Sequence, residues 1–369
     1  MQVKKSGYRL ALLPVLLAML LVAAACGDDG DSRDAAAAPT TTAAAGQPAA
    51  EAKAPSGTLR LGYLGNVTHA PAILGEQEGF FAKALGDGVK LQYSYFNAGT
   101  EAIEALFAGS IDATFVGPNP AINGFAQSHG DALRIVAGST SGGASLVVRE
   151  GINTSADLEG KTLATPSLGN TQDVALRAWL GGEGYSVDET GGGDVKIVPQ
   201  ANADTLTAFQ DGSIDGAWVP EPWATRLVLE GGGHVLVDEA DLWPGGRFVT
   251  THLVVATKYL DQHPDIVEGL ISGLVDSIDF ANSDSAAAQA ATNAGIERIT
   301  TKALKEEVIA GAWKNLTFTP DPIAPSLAKS KDDAVKVGLL DDVDLSGIYD
   351  LTLLNKVLSS RGEREVPGL

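Results

Sequence analysis

Three short clusters in this chain join residue types able to hold a small polar molecule. Asn170-Thr171-Gln172 precedes an apolar-periodic stretch through Val174, Leu176 and Trp179, so it reads as a helix start, with Gly169 in the turn before it. The first N–H groups of a helix lack partners within it and carry the positive end of its dipole, so such a start favours an anion. Plain N-capping by Asn or Thr, worth about 1 kcal/mol, is compatible with that role. Asn66, Thr68 and His69 lie in the loop after a short apolar strand, a usual place for function. His69 is one of five histidines, and nothing places a second metal ligand beside it, so hydrogen bonding is expected of it rather than metal binding. Trp218, Glu221 and Trp223 follow another apolar strand. The tryptophans could wall a pocket, and a cleft-facing Glu221 would disfavour a bare anion and suit a zwitterion. Thr100 opens a helix before Ala102, and Gly117 and Asn119 belong to Gly117-Pro118-Asn119-Pro120, by default a Pro-rich turn. Arg247 is the one arginine expected at a cleft edge.

Reactive machinery is sparse. The chain has no Gly-x-Ser-x-Gly elbow, phosphate loop or His-Glu-x-x-His pair, so neither an enzyme nor a bound cofactor is expected. Cys26 is the single cysteine, which rules out an intrachain disulfide and a multi-cysteine metal site. It follows a basic region (Lys4, Lys5, Arg9), an apolar run over residues 10–22 and the small residues Ala23-Ala24-Ala25. That order is an export signal, and the run is short of the ~20 residues a membrane span needs. Leu21-Val22-Ala23-Ala24-Ala25-Cys26 resembles the lipobox of bacterial lipoproteins, with Ala23 where leucine is usual. The resemblance implies an acylated Cys26 and anchoring on the extracytoplasmic face of the cell membrane.

Charge narrows the partners. The chain carries 26 basic and 46 acidic side chains, and loss of Lys4, Lys5 and Arg9 leaves 23 against 46. Such a body repels nucleic acid and anionic headgroups. Screening over ~8 Å still lets local donors hold a small anion.

The elements that must position these clusters occur twice. Thr58-Leu59 and the closing Leu64-Gly65-Asn66 recur as Thr162-Leu163 and Leu168-Gly169-Asn170, and Gly109-Ser110-Ile111-Asp112 recurs as Gly212-Ser213-Ile214-Asp215. Each copy reads as strand, helix, linking segment, helix and strand, which predicts two α/β lobes with mainly parallel sheets. Helical spacing marks Ile103, Leu106 and Phe107, then Leu206 and Phe209, and Gly109 and Gly212 stand where a C-cap glycine belongs. Ligands of such sheets sit beyond the carboxyl ends of strands, which puts Asn66 and Asn170 at one mouth. The expected divisions are 1–25 signal peptide, 26–56 tether, 57–143 with 252–369 first lobe, and 144–251 second lobe. Crossings near 138–144, which contains Ser141 as a further candidate contact, and near 248–253 would form a hinge. Ile266, Val267, Leu270, Ile271, Leu274, Val275 and Ile278 mark one long apolar helix face, and Leu339 and Leu345 suggest more helix beyond.

These residues carry a family likeness. Gly65-Asn66-Val67-Thr68-His69-Ala70-Pro71, Glu78-Gly79-Phe80-Phe81, Gly109-Ser110-Ile111-Asp112, Leu168-Gly169-Asn170-Thr171-Gln172-Asp173 and Trp218-Val219-Pro220-Glu221-Pro222-Trp223 resemble the substrate-binding proteins of ABC importers for aliphatic sulfonates, taurine and nitrate. The resemblance implies the two-lobed α/β fold of type II periplasmic-binding proteins, with a helical carboxyl-terminal part. It also implies a monomer that delivers a small polar ligand to a permease and its ATPase. A thiamine-precursor-like heterocycle as ligand, or a sensor without transport, are the alternatives.

Overall fold

A computed structural model describes residues 55–369. Cys26, the expected export signal and nearly all of the expected tether therefore lie outside the described residues. Among those described, no helix is long and apolar enough to cross a membrane.

The first lobe opens with β1 (Gly57–Leu64), α1 (Ala70–Gln77), α2 (Phe80–Leu85), β2 (Val89–Phe96), α3 (Gly99–Phe107), β3 (Ala113–Val116), α4 (Pro118–Gln127) and β4 (Leu133–Gly142). The second lobe holds β5 (Ala144–Val148), β6 (Thr162–Thr165), α5 (Thr171–Gly182), β7 (Lys196–Pro199), α6 (Asn202–Asp211), β8 (Gly216–Pro220), α7 (Trp223–Leu229) and β9 (His234–Asp238). The chain then returns through β10 (Val249–Ala256), α8 (Thr257–Gln262), α9 (Pro264–Ser283), α10 (Ser285–Thr300), α11 (Glu306–Lys314), β11 (Leu316–Phe318), α12 (Ala324–Lys336) and α13 (Thr352–Ser360).

The six-stranded sheet has the order β11-β4-β10-β3-β1-β2, and the five-stranded sheet the order β7-β6-β8-β5-β9. Read from β2 and from β7, the two are one arrangement. In each, the first strand pairs in parallel with its two neighbours, and the third meets an antiparallel strand, β10 or β5. Apolar clusters cover both faces of each sheet. That is why β3 and β8 are mostly apolar and are buried along their whole lengths.

The repeated Gly-Ser-Ile-Asp does one job in both lobes. The Arg60 N–H donates to Asp112 Oδ2 at 2.8 Å, and the Asp112 N–H donates to the Arg60 carbonyl at 2.8 Å. Thr162 and Asp215 repeat both bonds, at 2.8 Å each. The carbonyls of Asp112 and Asp215 then accept from Ala256 and Arg149, at 2.9 and 3.0 Å. Each aspartate thereby ties three neighbouring strands at one sheet end.

The lobes are joined at Gly142-Gly143, with φ of +81° and +74°, and again ahead of β10. A Cβ at Gly143 would meet Leu316 Cδ2 at 2.2 Å, so both backbone angle and space require glycine there. β10 hydrogen-bonds in the six-stranded sheet from Val249 onward. The long apolar face is borne by α9, whose Ile266 to Ile278 stripe is buried. Leu339 and Leu345 are not helical. They lie between α12 and α13 in a segment containing Gly338, Asp341, Asp342, Asp344 and Gly347, a composition that favours turns.

Candidate ligand cleft

Between the lobes lies a cavity of about 40 Å³ lined by Asn66, Thr68, His69, Gly99, Thr171 and Gln172 among others. The space is polar-lined and large enough to admit a small solute group. Strand ends and helix starts converge here, as expected for open α/β sheets. A larger groove of about 940 Å³ lies at the opposite end of the first sheet, by Thr58, Gly109 and Asp112. Its most buried charge, Asp112, is already paired with Arg60.

The second lobe contributes the start of α5. Asn170 is its N-cap, and its Oδ1 accepts from the Asp173 N–H at 3.0 Å. The N–H groups of Thr171 and Gln172 have no hydrogen-bond partner among the described residues. Asn170 Nδ2 donates to Gln172 Oε1 at 3.4 Å, which leaves the Gln172 NH2 as the unused end of that amide. Behind this turn Asp173 is fully buried, accepting from Thr165 Oγ1 at 2.8 Å, Gly169 N–H at 2.9 Å and Arg177 Nε at 3.0 Å. Its charge is thereby met on the side away from the cavity.

The first lobe contributes a short helical turn ahead of α1. His69 is buried, and burial pushes its imidazolium down to about 3, so the ring is neutral at physiological pH. The Leu64 N–H points at His69 Nδ1 at 3.4 Å. A neutral ring that accepts at Nδ1 carries its proton on Nε2, which makes His69 a donor toward the cavity it lines. Asn66 Oδ1 accepts from the Trp223 indole at 3.0 Å, and its NH2 has no partner among the described residues. Gly99 at the start of α3 also lines the cavity, with an unpartnered N–H. The start of α4 is a poorer anion site, because Pro118 and Pro120 carry no N–H.

Several free donors therefore face the cavity, beside one unpartnered acceptor, Asn202 Oδ1, and among the described residues no Asp, Glu, Lys or Arg side chain lines it. Of the residues singled out in the sequence, the structure gathers Asn66, Thr68, His69, Gly117, Asn170, Thr171 and Gln172 around this cavity. It does not bring Thr100, Asn119, Ser141, Gly169, Trp218, Glu221 or Trp223 to its surface. Thr100 is the second residue of α3, one position past the lining Gly99. Asn119 donates to the Ser330 carbonyl at 3.2 Å, and Ser141 is a buried strand residue paired with β10 and β11. Gly169 gives its N–H to Asp173 and its carbonyl to Asn123. Trp218 is core: it packs on Trp179 and donates to Glu239 at 2.7 Å.

Glu221 lies away from this cavity. Its carboxylate accepts from Thr225 N–H at 3.1 Å, Thr225 Oγ1 at 2.9 Å and Asn315 Nδ2 at 2.7 Å. These bonds hold the start of α7 and tie the second lobe to the first. Arg247 is also elsewhere, exposed and paired with Asp321 at 2.8 Å. Asn202 and Thr250 line the cavity without having been singled out. Asn202 opens α6 at the strand end of the second lobe, so the strand-end rule could have found it. Thr250 is carried in by the return strand, which nothing local marks.

A family model described as NMT1-like family matches residues 52–295. The chain belongs to the NMT1-like family. Among related sequences, the taurine-binding periplasmic protein of Escherichia coli (strain K12) is 27% identical over 211 residues, 56% of this chain and 62% of that protein. The match thus spans less than two thirds of that relative's length. The alkanesulfonate-binding protein SsuA of Xanthomonas axonopodis pv. citri, solved bound to MOPS, superposes with a TM-score of 0.65 at 22% identity, covering 79% of this chain and 96% of that one. The periplasmic nitrate-binding protein NrtA of Synechocystis gives 0.71 at 16% identity, covering 84% and 90%. This member of the NMT1-like family therefore has the two-lobed fold of periplasmic binding proteins.

Proposed function

We propose that the protein is an extracytoplasmic binding protein that captures a compact oxyanion, such as a sulfonate head, nitrate or bicarbonate, and presents it to the permease and ATPase of an ABC importer. The observation that carries this reading is the convergence, among the described residues, of unused donors on a cavity without a charged side chain in its wall: the Thr171 and Gln172 N–H groups, the Asn66 and Gln172 amides, and neutral His69. Hydrogen bonds to a charged partner are each worth ~1.5–3 kcal/mol, so a few neutral donors suffice without a cation. The taurine-, alkanesulfonate- and nitrate-binding proteins named above support the ligand class. Cys26 as the lipid-bearing residue, and a monomeric state, complete the proposal. The sequence around Cys26 supports the anchor, and mass spectrometry of wild type and Cys26→Ala checks it.

The test is calorimetric titration with taurine, ethanesulfonate, nitrate and bicarbonate, alongside choline as a cation. At 100 times its dissociation constant a true ligand adds about 2.7 kcal/mol of stability. Gln172→Ala is expected to weaken that ligand roughly tenfold. Binding of choline and of none of the anions would overturn the proposal.

A further inference from the structure

We propose that Trp223 is a positioning residue: its indole N–H, reaching across from the second lobe, fixes the Asn66 amide so that NH2 faces the ligand. The inference rests on the oxyanion reading and goes beyond it, because Trp223 itself does not line the cavity.

An asparagine amide can present either end, and the two ends are opposite in sign to an anion. Asn66 precedes a helical turn, where its ordinary task would be N-capping, yet it makes no such bond. It is 7% exposed, so bulk water does not set its orientation. Among the described residues, the one side-chain bond it makes is to Trp223 Nε1 at 3.0 Å. An indole N–H donates only, so the oxygen of Asn66 must face Trp223 and the NH2 must face away from it. The ring is held in turn: the Arg226 guanidinium stacks over it at 4.6 Å and is paired with Glu230 at 2.8 Å. Asn66 and Trp223 belong to different lobes, so this orientation exists only when the lobes are together. Closure then does more than enclose the ligand. It converts Asn66 from an amide of either sense into a donor, and an anion that needs the donor favours the closed state.

The experiment titrates nitrate and ethanesulfonate into the full chain, its Trp223→Phe, Asn66→Ala and double variants, and Asn66→Asp. Phenylalanine keeps a ring beneath Arg226 and removes the donor together with part of the indole's bulk, which the Asn66→Ala background controls for. Trp223→Phe is expected to weaken the anion roughly tenfold, and to have no further effect once Asn66 is alanine. A merely structural tryptophan would lower affinity by the same factor in both backgrounds. Asn66→Asp leaves Trp223 intact: the indole holds one oxygen and the other faces the anion, so a loss of about a hundredfold or more is expected. Unchanged affinity in Trp223→Phe, additive losses, or full affinity in Asn66→Asp would each overturn the inference while wild-type binding, and with it the oxyanion reading, stands. Failure of the wild type to bind either anion would instead overturn the reading, and the inference with it.

Discussion

Gly117 of the first lobe lies so close to Thr171 of the second that a Cβ on Gly117 would come within 2.5 Å of the Thr171 hydroxyl oxygen. The Gly117 backbone, at φ −70° and ψ 165°, is open to any residue, so the glycine is there for space. Gly117→Ala should therefore fold normally and close badly. The expected outcome is an unfolding midpoint within a few degrees of wild type without ligand, and affinity at least tenfold weaker. Small-angle scattering with and without ligand checks it. A variant that contracts as wild type does would remove the contact from the account of closure.

His69 makes a second prediction, about pH. Burial holds its imidazolium at about 3, below the free value of 6.5. The ring thus keeps one neutral tautomer throughout the range from pH 5.5 to 8. Anion affinity should vary less than about threefold across that range, because a cationic histidine that drew the anion in would tighten binding steeply below pH 6.5. Titration at pH 5.5, 6.5 and 8 in buffers of equal ionic strength decides it.

Glu239 gives the opposite kind of pH dependence, and in stability. It is buried, accepts from the Trp218 indole at 2.7 Å, and burial pushes its carboxyl from 4.5 up to about 7. A raised folded value means that the folded protein holds a proton the unfolded chain has released. The resulting stabilisation is full below pH 4.5 and is lost as pH rises through about 7. The size is about 3 kcal/mol at most. Buried His69 and His252, held at about 3 and about 4, act in the other sense, adding stability as pH rises toward 6.5. The difference between wild type and Glu239→Gln isolates the glutamate. Wild type should lose stability relative to the variant between pH 5 and 8, as read by denaturant unfolding. Parallel curves would show that Glu239 ionises freely.

The repeated aspartates should behave as a matched pair. Asp112→Ala and Asp215→Ala each remove a carboxylate that holds a strand N–H, and each is expected to cost about 1–3 kcal/mol. They stand in separate sheets with no shared partner, so the double variant should equal the sum within about 0.5 kcal/mol. Ligand affinity should be kept in both, since neither residue lines the cleft. Denaturant unfolding and titration of the three variants check both statements.

Much of this molecule was determined by the sequence alone, because its information is local or repeated. Apolar periodicity placed the α9 stripe, and the two Gly-Ser-Ile-Asp turns announced two lobes of one design. The unused N–H groups at Thr171 and Gln172 follow from where α5 starts, and local composition marks that point. Tertiary structure decided which way the ambiguous side chains face. Glu221, Trp218 and Trp223 all stand at the end of one strand, and nothing near them in sequence distinguishes ligand contact from core, cap or brace. Glu221 is turned from the cavity by Asn315, 94 positions later, and Trp223 meets Asn66 across 157 positions. Hydrogen-bond direction is settled by the partner, and a partner that far along the chain becomes a neighbour only when both lobes have folded and met.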